Sequence, residues 1–125
     1  MKNCWSVLLV AAFGLASGAA RAECSYPRFD FFPEKNGGVT VDNTVIAGTP
    51  CTHNFAEGPG YRFTSVGVDL KPEHGQLKQA GRARFVYTPQ AGYSGNDAYM
   101  FRICATKGPQ KGCTGIAFLV SVKAP

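Results

Sequence analysis

No stretch of the chain is apolar for the roughly 20 residues that a bilayer-crossing helix takes. The apolar run Val7–Ala16 (VLLVAAFGLA) stops well short of that. No segment after it repeats apolar residues at the three-and-four spacing of an amphipathic helix. CxxC pairs, from which structural zinc sites are usually built, are missing. Missing too are HExxH and GxSxG, the marks of zinc peptidases and of nucleophile-elbow hydrolases, and Ser65, Ser94 and Ser121 stand in no such context. Histidine is scarce, with only His53 and His74, and Met100 is the one methionine after the apolar run, a poor set for copper. Asp42, Asp69 and Asp97 stand singly, whereas calcium takes about six to eight oxygens, usually from clustered carboxylates. No cofactor and no metal site is therefore expected. The alternative is a metal-binding or catalytic protein in which His53 and His74 converge from distant parts of the chain.

Charge adds little. Thirteen basic residues face eight acidic ones, a net +5, spread along the chain with no block that suggests nucleic acid. Arg82 and Arg84 form a small local cluster, read as a solvated strand face.

The first residues point to export. Lys2 supplies a positive start, the run Val7–Ala16 follows, and small residues lead to Ala20-Arg21-Ala22. That order is a secretory signal with cleavage after Ala22, which predicts one domain over residues 23–125 in the periplasm or outside the cell. A lipoprotein signal needs a small residue directly before the acylated cysteine, and Glu23 precedes Cys24. The mature chain is expected to have no transmembrane segment.

With Cys4 in the leader, Cys24, Cys51, Cys104 and Cys113 remain, separated by 26, 52 and 8 residues. An even number in a small exported domain reads as disulfides.

Glycine and proline punctuate the rest, with short β-branched and aromatic runs between them. The expected strands are 28–32, 39–46, 52–55, 61–70, 75–79, 83–88, 97–105 and 114–123. Seven or eight strands with regular turn signals predict an all-β sandwich stapled by disulfides. In the last two strands Tyr99, Phe101 and Ile103 share one parity, and Ile116, Phe118, Val120 and Val122 another, so these sets face the core. Cys104 then shares a face with Arg102, and Cys113 with Ser121 and Lys123, pointing outward. Placing Cys104 opposite Cys113 sets Phe101 against Ile116 and Tyr99 against Phe118, core against core. The spacing predicts a Cys104–Cys113 bridge clamping a loop over Ala105–Gly112. By elimination Cys24 pairs with Cys51.

Residues 72–103 carry the most specific motif: Pro72-Glu-His74-Gly75-Gln-Leu77, then Phe85-Val-Tyr87-Thr88-Pro89, then Gly92-Tyr93-Ser-Gly95-Asn-Asp97-Ala-Tyr99-Met-Phe101. Gly75 suits a tight turn, where positive φ is open to glycine. Pro89 ends a strand, Gly92 and Gly95 allow a compact corner, and Asp97 can cap it. The motif resembles the bacterial immunoglobulin-like, cadherin-like repeats of surface proteins, PxHGxL…YTP…GYxGxDxFxY. The resemblance implies a Greek-key sandwich in which His74, Gly75, Tyr87, Pro89, Tyr93, Gly95, Asp97 and Tyr99 are structural. Such domains usually occur in tandem within adhesin-like proteins, whereas this one carries its own leader and four cysteines.

The function expected is a non-catalytic binding or structural module. Its partner would be an envelope or extracellular protein, or a surface polysaccharide. The clamped segment Lys107-Gly108-Pro109-Gln110-Lys111 is the leading candidate binding loop, since clamping lowers the ordering cost of association. Asn54–Arg62, with Phe55 and Tyr61, is the second.

Overall fold

The computed structural model describes residues 24–125; the leader and its cleavage after Ala22 lie outside the described residues. Eight strands follow one another: β1 (Cys24–Ser25), β2 (Gly38–Ile46), β3 (Cys51–Asn54), β4 (Tyr61–Leu70), β5 (Gly75–Gly81), β6 (Arg84–Pro89), β7 (Gly95–Lys107) and β8 (Gln110–Lys123). They form a five-stranded sheet in the order β1-β2-β8-β7-β4 and a three-stranded sheet in the order β3-β6-β5. β2 runs parallel to β8; the neighbouring strands otherwise pair antiparallel.

The core between the sheets follows from alternation. β7 buries Tyr99, Phe101, Ile103 and Ala105, and β8 buries Ile116, Phe118, Val120 and Val122. β6 adds Phe85 and Tyr87 from the other sheet, and β2 adds Val41 and Val45. Burying side chains of this size contributes about 1.5–3 kcal/mol apiece. Phe101 lies opposite Ile116 and Tyr99 opposite Phe118, the register expected from parity.

Both disulfides form. Cys104 and Cys113 are ladder partners on the outward face of β7 and β8. Cys24–Cys51 joins β1 to β3, and so ties one sheet to the other. Cys51 is fully buried, so this pair, not Cys104, supplies the core-facing bridge between sheets.

Two expected elements differ. Residues 28–32 form no strand; Tyr26 to Phe32 is an unladdered strap whose Phe29 and Phe31 tuck half-buried against the core. Pro27 and Pro33 bracket the strap and lack the N–H that a ladder needs. Alternation is present, but it serves ring packing: Phe29 meets Phe118 edge-on at 5.8 Å and Phe31 meets Phe55 at 6.1 Å. The segment 105–112 is likewise mostly ladder, not loop. Thr106 pairs with Lys111 and Lys107 with Gln110, leaving Gly108-Pro109 as a two-residue turn. Gly108 takes φ 57, the positive angle that tight hairpins place at their first turn position.

After the strap the 3₁₀ turn Pro33–Lys35 lies on β8. Asn36 Oδ1 accepts from the Cys113 N–H at 3.0 Å, and the Thr114 hydroxyl donates to the Gly37 carbonyl at 2.7 Å. A Cβ on Gly112 would collide with the Pro33 carbonyl, so only glycine admits this contact.

Candidate functional site

The motif residues gather where the chain passes from β4 to β5 and from β6 to β7. The β4–β7 ladder stops at Leu70↔Met100, while β7 runs back to Gly95 and lacks a β4 partner over that stretch. Asp97, buried on β7, takes the place of the missing strand. Its Oδ1 accepts from the Ala98 N–H at 2.9 Å and the Glu73 N–H at 3.0 Å. Its Oδ2 accepts from the His74 N–H at 3.2 Å and the Tyr87 hydroxyl at 2.6 Å. Burial, then the bond to Asp97, push the Tyr87 phenol far above its ordinary value. Asp97 thus ties down the 73–74 turn across the sandwich, and does not cap the 92–96 corner as expected.

The neighbouring positions have equally local reasons. Gly75 is needed for closeness and not for positive φ: a Cβ there would stand 2.6 Å from both the Thr88 carbonyl oxygen and the Tyr87 ring. Pro89, buried, ends β6 opposite Gly75. Tyr93 stacks on His74, with ring centroids 4.2 Å apart and planes 5° from parallel, and its hydroxyl donates to the Asn96 carbonyl. Gly92 and Gly95 hold φ 77 and 135 in that corner.

His53 sits in a different environment, 1% exposed on β3. The Tyr99 hydroxyl accepts from Asn43 Nδ2 at 3.3 Å and lies 2.5 Å from His53 Nε2, which is also 3.6 Å from Cys51 Sγ. Nδ1 lies 3.3 Å from the Tyr26 hydroxyl, so each ring nitrogen has a phenol partner, one able to donate to the neutral ring and the other to accept from it. Phe55, Phe101 and Phe118 surround the ring. Burial pushes the imidazole down to about 4 and raises the Tyr99 and Tyr26 phenols. His53 and His74 share none of these partners, and among the described residues no group of three histidines, cysteines or carboxylates is placed to hold a metal ion.

Lys107, Gly108, Pro109, Gln110 and Lys111 are all exposed at the β7–β8 tip. Lys107 Nζ lies 4.9 Å over the Tyr61 ring. The Tyr61 hydroxyl donates to Glu34 at 2.6 Å, which holds the phenol up at about 12 and the carboxyl below its usual range. Arg82 is more than a solvated cation: its guanidinium donates to the Phe63 carbonyl at 2.6 Å.

Among the described residues, two surface recesses bear on the candidate residues. One, of about 530 Å³, runs under the strap and is walled by Phe29, Phe31, Phe55 and Tyr61, with exposed Arg28 and Asp30 at its mouth; it takes in most of the second candidate loop. The other, of about 640 Å³, lies by the outer side of the five-stranded sheet, in the notch left by the short β4. Its walls include Leu70 and Leu119, exposed by 52% and 48%, beside Asp42, Lys71, His74 and Ser121. The same outer face carries Met100 between them and, toward the hairpin tip, Arg102 and the row Arg62–Thr106–Lys111. No sequence motif marks this patch, although Leu119 already has the outward parity of Ser121 and Lys123.

No protein-family model and no curated protein matches the chain. Among solved structures, it resembles part of an endo-fucoidan hydrolase from glycoside hydrolase family 107, with a TM-score of 0.39 and 10% identity over 87% of this chain. The match spans 15% of that protein, and a likeness so weak bears on neither fold class nor activity.

Proposed function

We propose that the chain is an exported, non-catalytic binding module of the immunoglobulin-like, cadherin-like kind, which docks on a protein of the bacterial envelope or beyond it. The Greek-key assignment is supported by the parallel β2–β8 pairing and by the β3-β6-β5 sheet packed against it. The two disulfides fit an oxidising compartment, periplasmic or secreted. The observation that carries the binding role is the pair of exposed leucines, Leu70 and Leu119, on the outer face of the five-stranded sheet, with partly buried Met100 between them. Exposed leucines grouped on one rigid face mark interaction surfaces more often than isolated ones do. Exposed charges of both signs, Asp42, Glu73 and Lys71, surround the leucines, with Arg102 one outward position further along β7, which suits a partner with a mixed polar rim. Lys107 to Lys111, the candidate binding loop, lie at the far tip of the same two strands and would be a separate point of contact.

The test is substitution on the patch. Leu70→Lys with Leu119→Lys should leave the thermal midpoint within a few degrees of the parent while abolishing recovery of the cross-linked partner. A variant that keeps its partner would remove the patch from the account.

A further inference from the structure

We infer that His53 and the strap Tyr26–Phe32 form an acid-sensitive latch, in which protonation of the buried imidazole releases the strap from the open side of the sandwich. The strap is pinned at both ends and loose between them. At its start Cys24 is bonded to Cys51. At its end Pro33 is buried and Asn36 is hydrogen-bonded to β8. Between the pins no residue joins a ladder. The middle is held by the ring contacts of Tyr26 and Phe29 with Phe118, at 5.3 and 5.8 Å, by Phe31 against Phe63 at 6.2 Å, and by the Tyr26–His53 hydrogen bond. A segment without backbone pairing opens at lower cost than a laddered one.

The trigger is chemical. The neutral imidazole has a phenol partner at each ring nitrogen, Tyr99 at Nε2 and Tyr26 at Nδ1, and can accept at one and donate at the other. A second proton makes both ring nitrogens donors, so the ring can no longer accept from either hydroxyl and its charge sits among aromatic rings. The groups facing the ring offer little to an imidazolium: Tyr26 from the strap, Asn43 near Tyr99 from β2, Cys51 and Phe55 on the β3 side, Tyr99 and Phe101 from β7, and Phe118 from β8. None of these is a carboxylate. Arg28 and Asp30, the charged residues lining the same recess, are exposed and opposite in sign. Opening would let water reach the ring and would uncover Phe55 and Phe63.

The sign is fixed by burial. The closed state holds the imidazole at about 4 against the ordinary 6.5, so closure is fully favoured above pH 6.5 and is lost progressively as pH falls toward 4. A gap of that size lets the open-to-closed ratio rise about 300-fold across the window, tenfold for each pH unit.

The test is NMR on the disulfide-intact mature protein between pH 7 and 4. Expected are a His53 ring that stays neutral well below pH 6, and loss of the Tyr26–Phe118 and Phe29–Phe118 ring NOEs with the same midpoint as its charging. Tyr99–Phe118 NOEs in the core should persist. In His53→Gln the strap NOEs should survive to pH 4; if that variant does not fold, coincidence of the two midpoints in the parent decides the matter. Strap contacts that persist once His53 is charged, or that vanish together with the core, would overturn the latch, as would a folded His53→Gln that loses them at the same pH.

Discussion

Replacing Asp97 by asparagine exchanges one carboxylate oxygen for an NH₂ and strikes the residue that stands in for a missing strand. Four donors converge on its carboxylate: the Ala98 and Glu73 amides at one oxygen, the His74 amide and the Tyr87 hydroxyl at the other. Whichever way the asparagine amide turns, its NH₂ faces at least one backbone N–H that it cannot accept. Hydrogen bonds to a charged group contribute about 1.5–3 kcal/mol each, so losing one bond and weakening the others should cost about 2–4 kcal/mol. For a domain of this size that corresponds to a fall in Tm of roughly 10–20 °C. Urea unfolding should show the change in midpoint at unchanged slope, because the surface exposed on unfolding is the same. Tyr87→Phe removes one donor and should couple to Asp97→Asn by about 1 kcal/mol or more in a double-mutant cycle. A loss below about 0.5 kcal/mol for Asp97→Asn, on the scale of an ordinary surface change, would refute the claim that this carboxylate ties down the 73–74 turn across the sandwich.

Other substitutions probe other parts of the fold. Gly75→Ala forces a Cβ onto Thr88 and Tyr87 and should destabilise by about 1–3 kcal/mol in the same urea assay. Replacing both Cys104 and Cys113 by alanine opens a short hairpin closure and should cost about 2–3 kcal/mol without loss of fold, as circular dichroism and melting would show. The corresponding change at Cys24 and Cys51 frees one pin of the strap as well as the link between sheets, and should be the more damaging of the two.

How much of this is legible in the sequence depends on whether a strand buries one face cleanly. β7 and β8 do. The parity of Tyr99 and Phe101 on one strand, and of Ile116, Phe118 and Val120 on the other, is enough to set their register and to place Cys104 opposite Cys113. The strap shows the same alternation in Phe29 and Phe31, but period-two burial does not reveal whether the backbone has a neighbour to pair with. Leu70 is hidden for a different reason. Register shifts in β4 between Phe63 and Ser65, and again between Val68 and Leu70, break the parity that would have shown it facing outward. His53 looks polar by its sequence neighbours, Thr52 and Asn54, and only the fold brings Tyr26, Asn43 and Tyr99 around it. Asp97 reads as a capping residue, yet its main partners, Glu73 and His74, lie a full strand pair away in sequence.

The docking role rests on the outer face of the five-stranded sheet, and one measurement addresses it directly. A photoreactive amino acid is placed at position 119, and in parallel at position 78 on the exposed side of the three-stranded sheet, in the protein expressed in its native cell. Irradiation followed by mass spectrometry should give one dominant envelope or extracellular protein from position 119 and none from position 78. No adduct at position 119, or the same adducts from both positions, would contradict the account.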